Sequence, residues 1–148
     1  MTVPNRRRLV AVSAGHLVVA VVSMKVAIAR RSPFHLPVLH GDPNRVVRDS
    51  FVMGTALSEP VVMMVAQGWA LSVLARRVSS GAAATLGWLG ASNVPGYLLE
   101  RQVRTRLRPS SWDAVESPLA VAGLALAAAM AALAGPDMRL HSGGLIPQ

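Results

Sequence analysis

Phe51 to Ala75 reads FVMGTALSEPVVMMVAQGWALSVLA. At 25 residues the stretch is long enough to cross a bilayer as a helix, which needs about 20 apolar residues. One carboxylate, Glu59, interrupts it near its middle and is followed at once by Pro60. A carboxylate in hydrocarbon costs several kcal/mol unless it is paired, protonated or hydrated, so Glu59 is a functional candidate by default. Read as a continuous helix, the stretch has Pro60 freeing the carbonyl of Ala56, and a kinked polar spot results.

The rest of the chain supports a membrane reading. Of its 148 residues 52% are hydrophobic and 15% charged, where a water-soluble domain carries about 25% charged residues. Mean hydropathy is +0.42. The charges sit in blocks between apolar runs, which predicts an all-α integral membrane four-helix bundle, one domain over residues 1–148. Its spans are expected at about Leu9 to Ala29, Phe51 to Ala75, Ala82 to Leu99 and Ala114 to Gly135. The expected localisation is the cell membrane, multi-pass. The first run also has the layout of a signal peptide, but Lys25 and Arg30-Arg31 fit a retained helix better. Pro95-Gly96 is expected to bend the third helix, and Gly135-Pro136 to stop the fourth.

Net charge is +8, from fifteen Lys+Arg against seven Asp+Glu. The arginines flank the apolar runs, where they anchor helix ends to lipid headgroups; a nucleic-acid partner is not expected. Eight Arg fall on the side of the two longer loops (Arg30, Arg31, Arg45, Arg48, Arg101, Arg104, Arg106, Arg108) and six on the other (Arg6, Arg7, Arg8, Arg76, Arg77, Arg139). The positive-inside rule then puts the longer loops in the cytoplasm. The chain has no cysteine, so thiolate and disulfide chemistry of its own is excluded. One lysine beside fourteen arginines, with abundant Ala, Val and Gly, points to a bacterium with GC-rich coding.

Small residues recur every fourth position at Gly123, Ala127, Ala131 and Gly135, and Gly54 and Ser58 share that spacing. Such stripes let helix backbones approach closely in lipid. The contact could lie within the chain or between copies, and a homo-oligomer is expected.

Depth along antiparallel helices, at 1.5 Å per residue, puts Glu59 roughly 12 Å, Asn93 roughly 10 Å and Lys25 roughly 6 Å below one face. All three can share a layer, with His16 and Gln67 in a second layer nearer the opposite face. Such residues act either as interhelical hydrogen bonds, at about 1 kcal/mol each, or as a substrate, proton or ion site. Tyr97 to Arg108 extends the third helix beyond the membrane, with Leu99, Val103 and Leu107 on one face and Arg101, Arg104 and Arg108 on another. Trp69, Trp112 and Tyr97 read as interfacial anchors and Trp88 as packing. His35 and His40, five apart in the loop that also holds Asp42, could ligate a metal, but no third ligand is convincingly spaced and no metal site is expected.

Several of these stretches resemble the MAPEG superfamily, the membrane-associated proteins of eicosanoid and glutathione metabolism. They are Ala29-Arg-Arg31, Gly41-Asp-Pro-Asn-Arg45-Val-Val-Arg48, Glu59, Gly96-Tyr97, Gln102-Val-Arg104 and Leu107-Arg-Pro109. The resemblance implies a small trimeric membrane enzyme with its first loop in the cytoplasm. It implies that Arg48 and Glu59 contact a glutathione-like thiol peptide, with Tyr97 and Arg104 near its sulfur and the arginine favouring the thiolate. This chain has Ala56 where the family has Asn, Pro60 and Val62 where the family has a later Pro, and a longer spacing from Arg48 to Glu59. The expected site is therefore Tyr97 and Arg104 for catalysis, with Arg45, Arg48, Glu59 and Asn93 for binding. No cofactor is expected, glutathione entering as substrate. The alternative is a non-catalytic scaffold or partner subunit, and a transporter built on Glu59 comes third.

Overall fold

The computed structural model describes residues 3–31, 51, 54–55 and 57–142. Among them it is all-helical, with four long helices and one short one: α1 (Val3–Ala29), α2 (Val61–Arg76), α3 (Ser80–Leu99), α4 (Arg101–Arg106) and α5 (Glu116–Ser142). Two segments, Asn5–Ala29 and Glu116–Gly135, are long and apolar enough to cross a membrane, while the apolar helix α2 has 16 residues.

The long helices bury one stripe each, as the 3.6-residue repeat requires. On α1 the interior positions are Leu9, Ser13, His16, Ala20, Ser23 and Ala27; on α2 they are Met64, Gln67, Ala70 and Leu74. The largest interface is between α3 and α5. Helix α1 packs on α5 and on α2, and α2 packs on α3. At one level Leu9, Leu74, Leu86 and Met130 form a core, and at the other Ala27, Leu57, Tyr97, Val103 and Ala120 form a second.

The α3–α5 contact settles the small-residue stripe as an intrachain seam. A Cβ placed on Gly90 would lie 2.6 Å from the Ala127 carbonyl oxygen and 2.9 Å from the Ala131 nitrogen. Only glycine permits that backbone approach.

Three helix boundaries differ from the sequence expectation. The continuous helix expected from Phe51 begins only at Val61, and the described residues between 51 and 60 are irregular. Gly54 lies in the left-handed region at φ +81° and is thus no part of a helical stripe with Ser58. Thr55 N–H donates to the Ser58 carbonyl (3.0 Å), the two hydroxyls are bonded at 2.8 Å, and Leu57 N–H donates to Thr55 Oγ1. Local side-chain bonds of this kind compete with the helix, and the proline ring disfavours helical backbone at Glu59. Pro60 therefore starts α2, its carbonyl accepting from Met63 and Met64, and kinks nothing.

The expected extension from Tyr97 to Arg108 breaks at Glu100, whose extended backbone ends α3. Its carboxylate accepts from the Gln102 N–H and starts α4. The stop expected at Gly135-Pro136 is absent, since α5 stays helical through Ser142. Proline removes one N–H from the ladder, and a kink can absorb that loss.

Two aromatic expectations also change. Trp88 lies exposed on the surface of α3, whereas Tyr97 is buried; Trp69 and Trp112 are exposed.

Candidate functional site

The buried carboxylate of Glu59 is held by the turn that ends at Pro60. Its Oε2 accepts a hydrogen bond from Asn93 Nδ2 on α3. Its Oε1 lies 3.9 Å from His16 Nδ1 on α1. His16 Nδ1 is 3.2 Å from Gln67 Oε1 on α2, and Gln67 Nε2 donates to the Ser13 carbonyl at 2.8 Å. The Tyr97 ring stands edge-on to the His16 ring, with centroids 6.4 Å apart and an interplanar angle of 86°.

The hydroxyl of Tyr97 reaches α5 at Gly123, where a Cβ would come within 2.5 Å of it. Thus α1, α2, α3, α5 and the turn before α2 all contribute to one buried polar cluster. Three of its atoms, Glu59 Oε1, His16 Nε2 and Tyr97 Oη, are buried with no hydrogen-bond partner among the described residues. A buried unpaired polar group costs about 1–3 kcal/mol, so the arrangement is unfavourable unless something completes it.

The expected pairing of Glu59 with Asn93 is present, and Tyr97 stands in the same cluster. Lys25 is not in it, being exposed on α1. Depth alone set Lys25 beside Glu59, but its position on α1 falls between the buried Ser23 and Ala27 and faces outward. His16 and Gln67 join the Glu59 layer instead of forming another. The irregular turn explains this: a carboxylate ahead of α2 does not lie at the depth that a continuous helix would give it. Arg104 is exposed on α4, away from the buried cluster. Arg45, Arg48, His35, His40 and Asp42 lie outside the described residues.

A second cluster escaped the sequence reading. Glu116, at the start of α5, is almost fully buried. It accepts from Arg30 Nη1 (2.8 Å), from Arg106 Nε (2.6 Å) and from Gln102 Nε2 (3.0 Å). Arg30 also reaches Asp113 at 3.0 Å. Asp113 Oδ1 in turn accepts from the N–H groups of Val115 and Glu116 at the entry to α5. These backbone bonds, with Arg30 adding to them, hold the Asp113 carboxyl at about 2, well below its usual value. The bonds to Glu116 and then Asp113 raise Arg30 further above its ordinary range.

Beside this cluster Arg101, Gln102, Thr105 and Arg106 line an open groove of about 300 Å³. The available signal was positional: Arg30 ends the first apolar run and Glu116 opens the last, so antiparallel packing brings them to one end.

Among the described residues no group of three His, Cys, Asp or Glu is placed to hold a metal ion. The chemistry the buried cluster offers is that of acceptors and a phenol: a carboxylate oxygen, an imidazole nitrogen and a hydroxyl meeting inside an apolar bundle. Comparison of the chain with protein-family models, with curated proteins and with solved structures finds no match.

Proposed function

We propose that the chain is a four-span protein of the cell membrane that binds an anionic amphipathic substrate of the glutathione type between its helices, as a MAPEG-like enzyme. In this reading α1, α2 with its preceding turn, α3 and α5 are the spans, and copies of the chain assemble in the bilayer. Irregular backbone at membrane depth is tolerated where protein surrounds it, and Gly54, Thr55, Leu57, Ser58 and Glu59 are all buried.

The observation that carries the proposal is the Glu59 carboxylate: one oxygen bonded to Asn93, the other buried and unpartnered beside His16. A group that only stitched helices together would gain by using both oxygens. Glu59 and Asn93 would bind polar donors of the substrate, and Tyr97 would stand by its reacting end. Arg104 and the first-loop arginines, Arg45 and Arg48, would contribute charge from the headgroup side.

The test is calorimetric titration of reduced glutathione into the protein in lipid nanodiscs. Wild type should bind, and Glu59→Gln should lose at least tenfold in affinity, about 1.4 kcal/mol, while keeping its assembly size and thermal midpoint. Equal affinity in the two proteins would sink the reading.

A second reading, a non-catalytic scaffold, is favoured by the bonds that tie α1 to α2 through Gln67 and α3 to the turn through Asn93. It expects no glutathione binding and little effect of Glu59→Gln beyond a small change in stability.

A further inference from the structure

The Ser13 carbonyl determines the protonation pattern of His16. A carbonyl oxygen only accepts, so the amide atom of Gln67 at 2.8 Å from it must be the nitrogen. The other amide atom, the oxygen, then faces His16 Nδ1 at 3.2 Å. Flipping the amide would set oxygen against oxygen at Ser13 and lose that bond. Nδ1 must therefore carry a hydrogen, and in a neutral imidazole the lone pair is left on Nε2. That nitrogen is buried, on a fully buried side chain, without a partner among the described residues. The Glu59 oxygen at 3.9 Å faces the Nδ1 side of the ring and is itself unpartnered.

Resting on the reading above, we propose that His16 is the proton acceptor of the site: its Nε2 takes the proton of the bound substrate's thiol. The S–H bond breaks and its electron pair stays on sulfur as a thiolate. The proton forms the Nε2–H bond and the ring becomes an imidazolium. Nδ1–H keeps its bond to Gln67 throughout, so the ring need not turn. The new positive charge lies beside the Glu59 carboxylate, which favours it. Tyr97 reaches across from α3 with its ring near-perpendicular to that of His16 and its hydroxyl at Gly123 of α5. The roles separate cleanly: Gln67 sets the tautomer, Glu59 stabilises the charged ring and His16 moves the proton.

Nitrogen-15 NMR of the histidine rings tests this in lipid nanodiscs. His35→Gln, His40→Gln and His141→Gln together leave His16 as the single imidazole in the full chain. The free protein should show a protonated Nδ1 and a pyridine-type Nε2. Saturating reduced glutathione should abolish the pyridine-type signal. S-methylglutathione, which has no thiol proton, should bind and leave that signal in place. A free protein with its hydrogen on Nε2 alone overturns the proposal. So does binding of both peptides with the same histidine spectrum, in which case the substrate reading stands. If neither peptide binds, the substrate reading fails and the proton-transfer role falls with it.

Discussion

Gly90 and Gly96 sit six residues apart on α3, and they should respond oppositely to the same substitution. At Gly90 an added methyl meets the α5 backbone at 2.6 and 2.9 Å and Met130 Cβ at 2.8 Å; at Gly96 it meets nothing within 4 Å. Gly90→Ala must therefore push α3 from α5, at an overpacking cost of about 1–3 kcal/mol. Gly96→Ala should be neutral, or stabilising by about 0.5–1 kcal/mol through the helix propensity of alanine. Thermal unfolding in detergent checks both, and equal midpoints for the two variants would refute the close seam. At this scale the sequence was partly legible. Gly123, Ala127 and Ala131 could be recognised as a contact face, but not Gly90 as its partner, because spacing within one helix carries no register against another. Glu59 and Asn93 were legible as a pair. His16 and Tyr97 as neighbours of Glu59 were not, because that required the turn before α2.

The start of α5 shows how an element's end is tied down. Asp113 accepts from the N–H of Val115, just before α5, and from that of Glu116, the first residue of α5, and it binds Arg30. Its carboxyl falls from an ordinary 3.8 to about 2 in the folded protein. A depressed carboxylate contributes stability that is fully present above its unfolded value and is lost as pH falls through its folded value. Wild type should therefore exceed Asp113→Asn in thermal midpoint at neutral pH, and the difference should close between about pH 4 and pH 2. A difference that does not change over that window would mean that the charge of Asp113 contributes nothing. The break at Glu100 belongs to the same scale. Periodicity read Tyr97 to Arg108 as one helix because the apolar residues kept their phase, whereas the Glu100 carboxylate found a better partner in the Gln102 N–H.

For the whole molecule, the four-span reading makes a geometric demand. The turn between α2 and α3, with the first residue of α3, and the residues between α4 and α5 must face opposite sides of the membrane. The chain has no cysteine of its own, so Ser80→Cys and Ser110→Cys each provide a single label site, and both serines are exposed. In sealed vesicles an impermeant maleimide should label one and spare the other, with Ser110→Cys on the cytoplasmic side. Labelling of both from the same side would remove the four-span arrangement, and with it the argument that Glu59 lies within a bilayer. The Glu116 cluster closes one end of the molecule, joining the end of α1, α4 and α5. One Glu116 oxygen accepts from Arg30 and the other from Arg106.

Composition and apolar run length by themselves determined that the described residues form helices without strands and that the first and last long helices can cross a membrane, because those properties depend on local hydropathy and length alone. They also singled out Glu59, since an acid in an apolar run is conspicuous without any structure. Only the tertiary structure decided where that acid lies and what surrounds it. Gly54 at positive φ and the Thr55–Ser58 bonds turn the backbone before Pro60, and that turn carries the carboxylate to His16 and Asn93. The physical reason is that a left-handed residue and two local hydrogen bonds leave no trace in hydropathy, yet they redirect the chain and so choose which buried groups meet.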